Sequence, residues 1–177
     1  NQWKISYTLD GTETDGAASY EFTMADEAGN TATVTSAGSN VVVDNTAPTL
    51  SSVTIASNNT NDAYAKVGDV ITLSITSSED LTAAPTVFLA GRSATVNDVG
   101  GSASNFTATI TGSTTDTQGQ VAISIAFTDL TGNAGTTVTA TTNGSSVTYD
   151  RAVPTLSAVT VTSNNDNTAY AKQGDIV

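Results

Sequence analysis

Between residues 50 and 130, apolar side chains stand at every second position in short runs, separated by stretches of Gly, Asn, Asp, Ser and Thr. Val53 and Ile55 form one run, Ile71, Leu73 and Ile75 a second, and Val87 and Leu89 a third. Ala94 and Val96 follow a Gly91-Arg92 turn, and Phe106, Ala108 and Ile110 come next. Val121, Ile123, Ile125 and Phe127 make the clearest alternation, and Val138 with Val147 and Tyr149 closes the set. A period of two belongs to a strand that buries one face. The pattern predicts about seven strands and no helix, an all-β chain.

The pattern also repeats. Residues 44–71, DNTAPTLSSVTIASNNTNDAYAKVGDVI, recur without a gap as residues 150–177, identical at 17 of 28 positions and displaced by 106 residues. A weaker echo, displaced by 103, maps Trp3, Ile5 and Tyr7 onto Phe106, Ala108 and Ile110. It also maps Ala18, Tyr20, Phe22 and Met24 onto Val121, Ile123, Ile125 and Phe127. A period this long exceeds that of a solenoid repeat and matches an independent domain. The chain thus divides into the C-terminal part of one repeat (1–44), a complete repeat (45–149) and the N-terminal part of a third (150–177), a stretch of a longer polypeptide. Seven short strands in about a hundred residues, with Gly, Asn and Asp at the turns, predict an immunoglobulin-like sandwich without its disulfide. The expected architecture is tandem immunoglobulin-like β-sandwich domains, end to end.

Each strand of a sandwich crosses from one end to the other, so counting strands assigns loops to poles. Loops 77–84 and 129–135 fall at the pole of Asp44, and loops 57–68 and 112–119 at the opposite pole. Asp44, Glu79, Asp80 and Asp129 then meet at one end. Clustered carboxylates repel one another, and a hard cation with oxygen ligands relieves that repulsion. The expected ligands of calcium are Asp44 and Asn45 from the linker, Glu79 and Asp80 from one loop, and Asp129 and Asn133 from another. Asp10, Glu13 and Asp15 of the preceding repeat add acids across the junction. Asp26 and Asn30 form the corresponding pair in the first repeat, and Asp62, Asp116 and Asp150 the corresponding set at the next junction.

Composition agrees with a cation as partner. Seventeen acidic residues against five basic ones give a formal charge of −12, which opposes nucleic acid and anionic membranes. Cysteine and histidine are absent, so disulfides, thiolate chemistry and the usual zinc ligands are excluded together. No run approaches the roughly 18 apolar residues of a membrane helix.

The linker VDNTAPTL (43–50) and its second copy YDRAVPTL (149–156), the SSED turn (77–80) and the D-x-x-G-N turns (26–30 and 129–133) together resemble bacterial Ig-like repeats. That resemblance implies long tandem arrays in large secreted adhesins and surface proteins, hence an extracellular or cell-surface location. The linker is also similar to the Asp-Asn-Ala-Pro junction of cadherins, which implies calcium stiffening the stack. Arg151 departs from the pattern by replacing Asn45 at the second linker. Either that position does not bind metal, or the two junctions differ.

Simpler readings stand beside these. D-x-x-G-N is good turn chemistry alone, with Asp bonding its own backbone and Gly taking positive φ. SSED serves equally as a solvated loop, Pro48 and Pro154 as starts of an edge strand, and the N-N-x-N runs (58–61 and 164–167) as polar loops. Tyr64 and Tyr170 read as anchors packing on the sandwich.

Among functions, the pattern favours a spacer or stalk repeat of an extracellular fibre or adhesin, whose partners are neighbouring repeats of the same polypeptide. Lateral self-association would instead make the repeats a filament wall, sheath or surface layer. A glycan- or protein-binding module is the other alternative, without an evident aromatic platform. An enzyme is not expected, because no catalytic constellation is present: neither His, Cys nor a G-x-S-x-G motif occurs.

Overall fold

The computed structural model describes residues 4–36 and 41–177, and among them there is strand but no helix. Four short strands come first: β1 (Gly16–Ala17), β2 (Glu21–Ala25), β3 (Thr31–Thr35) and β4 (Val42–Val43). The body of the fold follows with β5 (Leu50–Ser57), β6 (Tyr64–Ala65), β7 (Val70–Ser77), β8 (Thr86–Leu89), β9 (Arg92–Ser93), β10 (Thr95–Asp98) and β11 (Asn105–Thr111). It closes with β12 (Gly119–Gln120), β13 (Ile123–Ala126) and β14 (Thr148–Tyr149).

The alternating runs become the inner faces of two layers. One layer is the four-stranded sheet β10-β11-β7-β5, antiparallel throughout. Its register lines Val53, Ile75 and Phe106 into one row and Ile55, Leu73 and Ala108 into the next. Facing it are β13-β8-β9 and β12-β14-β6, which contribute Val87, Leu89, Ile125, Ala65 and Tyr149. The resulting core cluster runs from Val53 to Tyr149, with Val53, Leu73, Leu89 and Ile125 completely buried. Each such side chain contributes about 1.5–3 kcal/mol of hydrophobic stabilisation. The fold is therefore all-β and sandwich-like.

Several details differ from the sequence pattern. The alternation 121–127 is a strand only at Ile123–Ala126, because the N–H of Val121 turns to Val147 and the carbonyl of Phe127 accepts from Gly135. The hairpin between β8 and β9 turns at Ala90-Gly91, both with positive φ (51° and 74°), one residue earlier than Gly91-Arg92. This is the type I′ geometry that matches strand twist. Tyr64 is exposed, and its neighbour Ala65 is the buried anchor.

The flanking segments behave differently. In 4–43, β2 pairs with β3 and β1 with β4. Ile5 and Tyr7, mapped onto core residues, are 72% and 75% exposed and lie outside any strand. Trp3 lies outside the described residues. Ile71 and Leu73 of β7 pair beside the equivalent positions, Ile110 and Ala108, and among the described residues no strand pairs beside Ile5 and Tyr7. Residues 156–163 likewise form no strand, although their equivalents, 50–57, make β5. The loop after them is nonetheless built as in the complete unit. Asn165 donates to Asp175 (2.8 Å) as Asn59 does to Asp69 (2.7 Å), and the N–H of Ile176 meets Asn164 as that of Val70 meets Asn58. Among the described residues no helix is long and apolar enough to cross a membrane.

Candidate metal centre

The two D-x-x-G-N segments fold into the same turn. Asp26 Oδ1 accepts from the backbone of Ala28 and Asn30, and its Oδ2 from the Asn30 amide. Asp129 Oδ1 collects the N–H groups of Thr131, Gly132 and Asn133 and the Thr131 hydroxyl, while Oδ2 takes the Asn133 amide at 2.8 Å. Gly132 supplies the φ of 102° that the turn requires, as Gly29 does with 87°.

What separates the copies is what surrounds them. Asp129 is completely buried, and the Asn133 amide also donates to the backbone carbonyl of Asp44 (3.0 Å), drawing the linker down onto the turn. Glu79 arrives from the other side. The buried Ser77 hydroxyl donates to its carbonyl, and Ser78 exchanges hydrogen bonds with Thr49. Leu81 bridges to Asp129, which sets the two loops side by side. Asp44, Glu79 and Asp129 each then offer a carboxylate oxygen, all within 4.8 Å of one another. Ligands of one calcium ion, at about 2.3–2.6 Å from it, lie at most about 5 Å apart. The spacing and the all-oxygen donor set fit a hard cation.

The electrostatics point the same way. Burial raises the Glu79 pKa above its usual value, and the charges of Asp44, Asp129 and Asp15 raise it further. Asp129 goes the other way: burial pushes it up, but the bonds from Asn133, Thr131 and Gly132 outweigh that and hold it at about 2. Asp69 also lies at about 2, held by Asn59 and by the backbone and ammonium of Lys66. Asp129 and Asp69 bind protons less readily folded than unfolded, so their stabilisation is present above about pH 4 and is lost as pH falls toward 2. Glu79 has the opposite sign, and its ionisation costs stability as pH rises past its ordinary value. In metal-free buffer, thermal unfolding is expected to show greatest stability in the mildly acidic range. Calcium should abolish the decline on the neutral side by keeping Glu79 usefully ionised.

Other residues of the expected set fall elsewhere. Asp80 is exposed beside Glu79, with its carboxylate outside the triad. Asn45 directs its N–H to Asp15 (2.7 Å) and its amide to the Glu13 carbonyl (2.9 Å), so it ties the linker to the preceding loop. Asn133 presents its amide nitrogen, a donor, to the acids. Asp26 and Asn30 form a turn that meets no further acid cluster among the described residues.

Comparison of the chain with family models, curated proteins and solved structures gives no match.

Asp62, Asp116 and Asp150 are not gathered into a metal-holding group among the described residues. Asp116 is buried and already neutralised by Arg92, whose Nε and Nη2 each lie 2.8 Å from its oxygens. Asp62 sits exposed on the turn before β6, and the Asp150 carboxylate caps the N–H of Ala152. No sequence signal within the loop announces Arg92, which lies 24 residues away. Asp15 is the acid whose importance was only partly legible. It accepts from both Asn45 and Thr46, and so brings the preceding segment's charge to the linker.

Proposed function

We propose that this chain is a stretch of tandem Ig-like domains that acts as a structural spacer in an extracellular fibre or cell-surface adhesin, with calcium stiffening the junction at Asp44. One observation carries the proposal. Carboxylates from the linker (Asp44) and from two loops of the complete unit (Glu79, Asp129) converge, and an acid of the preceding segment (Asp15) is hydrogen-bonded to the same linker. A spacer needs a rigid junction more than it needs a pocket. A cation held by acids anchored on both sides would convert mutual repulsion into a tie between neighbouring units. Asp44, Glu79 and Asp129 would hold the ion, with water and main-chain oxygens completing its shell. The ion would supply charge neutralisation.

The test is thermal unfolding and solution scattering of the 177-residue chain, in calcium and in excess chelator. Calcium is expected to raise Tm by several degrees and to extend the scattering envelope. Glu79→Gln removes one of the repelling charges, so this variant should equal or exceed the parent's Tm in chelator and lose most of the response to calcium. An unchanged Tm and envelope for the parent chain in the two buffers would remove the cation from the mechanism.

A further inference from the structure

The structure contains two linkers, and each seats in the loop preceding it through an equivalent main-chain contact and a side-chain contact to a carbonyl of that loop. The N–H of Asn45 donates to Asp15 Oδ1 (2.7 Å), and that of Arg151, one repeat later, to Gln118 Oε1 (3.0 Å). Asp15 and Gln118 are equivalent under the 103-residue displacement. The linker side chain then reaches a main-chain carbonyl of the same loop: Asn45 Nδ2 that of Glu13, and Arg151 Nη1 that of Thr114. The receiving loops are capped alike, since Glu13 accepts the N–H of Asp10 and its equivalent Asp116 that of Ser113. Seat and clamp are thus common to both junctions.

The charges are not. At the first clamp an anion, Asp15, receives a neutral Asn45; at the second a neutral Gln118 receives a cation, Arg151. Among the described residues the Glu13 carboxylate forms no ion pair, whereas Asp116 is paired with Arg92. The first clamp therefore sits beside the acids Asp44, Glu79 and Asp129, and the second carries its own positive charge.

Building on the calcium proposal, we propose that the two linkers share one clamp in opposite charge states: the first closes fully only with a divalent cation, and the second is closed by Arg151 without one. Successive junctions of the array would then differ in their dependence on calcium, giving joints that soften at low calcium between joints that do not. Arg151 acts here as a positioning residue, supplying through a covalently attached guanidinium the charge that the first junction takes from solution.

Amide hydrogen exchange on the full chain separates these states, read at residues 45 and 151 in calcium and in excess chelator. Exchange at Asn45 is expected to be several-fold faster in chelator, and exchange at Arg151 to be the same in both. Arg151→Ala should accelerate exchange at position 151 several-fold in both buffers and leave Asn45 unaffected. Equal calcium responses at the two amides would overturn the proposal and leave the cation reading standing. A lack of response at both amides would remove both. An unchanged rate at position 151 in Arg151→Ala would show that the guanidinium does not hold the clamp.

Discussion

Replacing Asp129 with alanine is expected to lower the melting temperature of the chain by about 10 °C or more, in calcium and in chelator alike. The carboxylate is completely buried and satisfies three backbone N–H groups of its own turn, a hydroxyl and the Asn133 amide. Alanine removes the one acceptor that these five donors share and empties a completely buried position; the half-buried Asn133 loses its charged partner, and hydrogen bonds to a charged group are the costly ones to lose. It also frees Asn133, which holds the linker through the Asp44 carbonyl. Asp129→Asn keeps an acceptor oxygen while removing the charge, so it should lose the calcium response with a much smaller fall in chelator. Circular dichroism melts of both variants distinguish a structural turn from a metal ligand. A fall of only a degree or two in Asp129→Ala would mean that the turn does not organise this pole.

The contrast between Asp129 and Asp116 shows what the sequence discloses. The D-x-x-G-N turn closes within five residues, so its spacing specifies it, and both copies fold alike although their surroundings differ. The loops 57–70 and 163–176 obey the same rule, keeping their Asn and Asp bonds with or without a sheet beside them. Strands do not. Residues 155–161 repeat the alternation of β5 and remain outside any strand, because a strand requires a partner far along the chain. Periodicity was enough to find the core strands of the complete unit, since there both partners are present. Counting them places Asp44, Glu79, Asp80 and Asp129 at one pole; the structure brings the carboxylates of Asp44, Glu79 and Asp129 together and leaves Asp80 outside. Asp116 reads in the sequence as a candidate calcium ligand because its partner, Arg92, stands on a different hairpin, and pairing across 24 residues leaves no local mark. Acidic character is legible in a sequence; whether an acid is already neutralised depends on packing.

The second large effect is expected at Gly112, where packing leaves no room for a side chain. A Cβ there would lie 2.6 Å from the Lys66 carbonyl oxygen and 2.8 Å from the buried ring of Tyr149. The backbone cannot retreat, because the Gly112 N–H donates to Asp69 (2.8 Å) and its carbonyl accepts from Gly68 (3.0 Å). Gly112→Ala should therefore cost about 1–3 kcal/mol or more, seen as a fall in Tm of roughly 4–8 °C per kcal/mol. The damage should also travel. Gly112 opens the loop in which Ser113 receives the Tyr149 hydroxyl, Asp116 meets Arg92 and Thr114 accepts from Arg151. Displacing its first residue disturbs the seat of the second linker, so amide exchange at Arg151 should quicken together with the loss of stability. Thr114→Ala is the matched comparison: only its main-chain carbonyl takes part in the clamp, so its effect should stay within about 0.5 kcal/mol. If Gly112→Ala melted with the parent chain, the loop would have room to shift, and the tight seat invoked for the second linker would be lost with it.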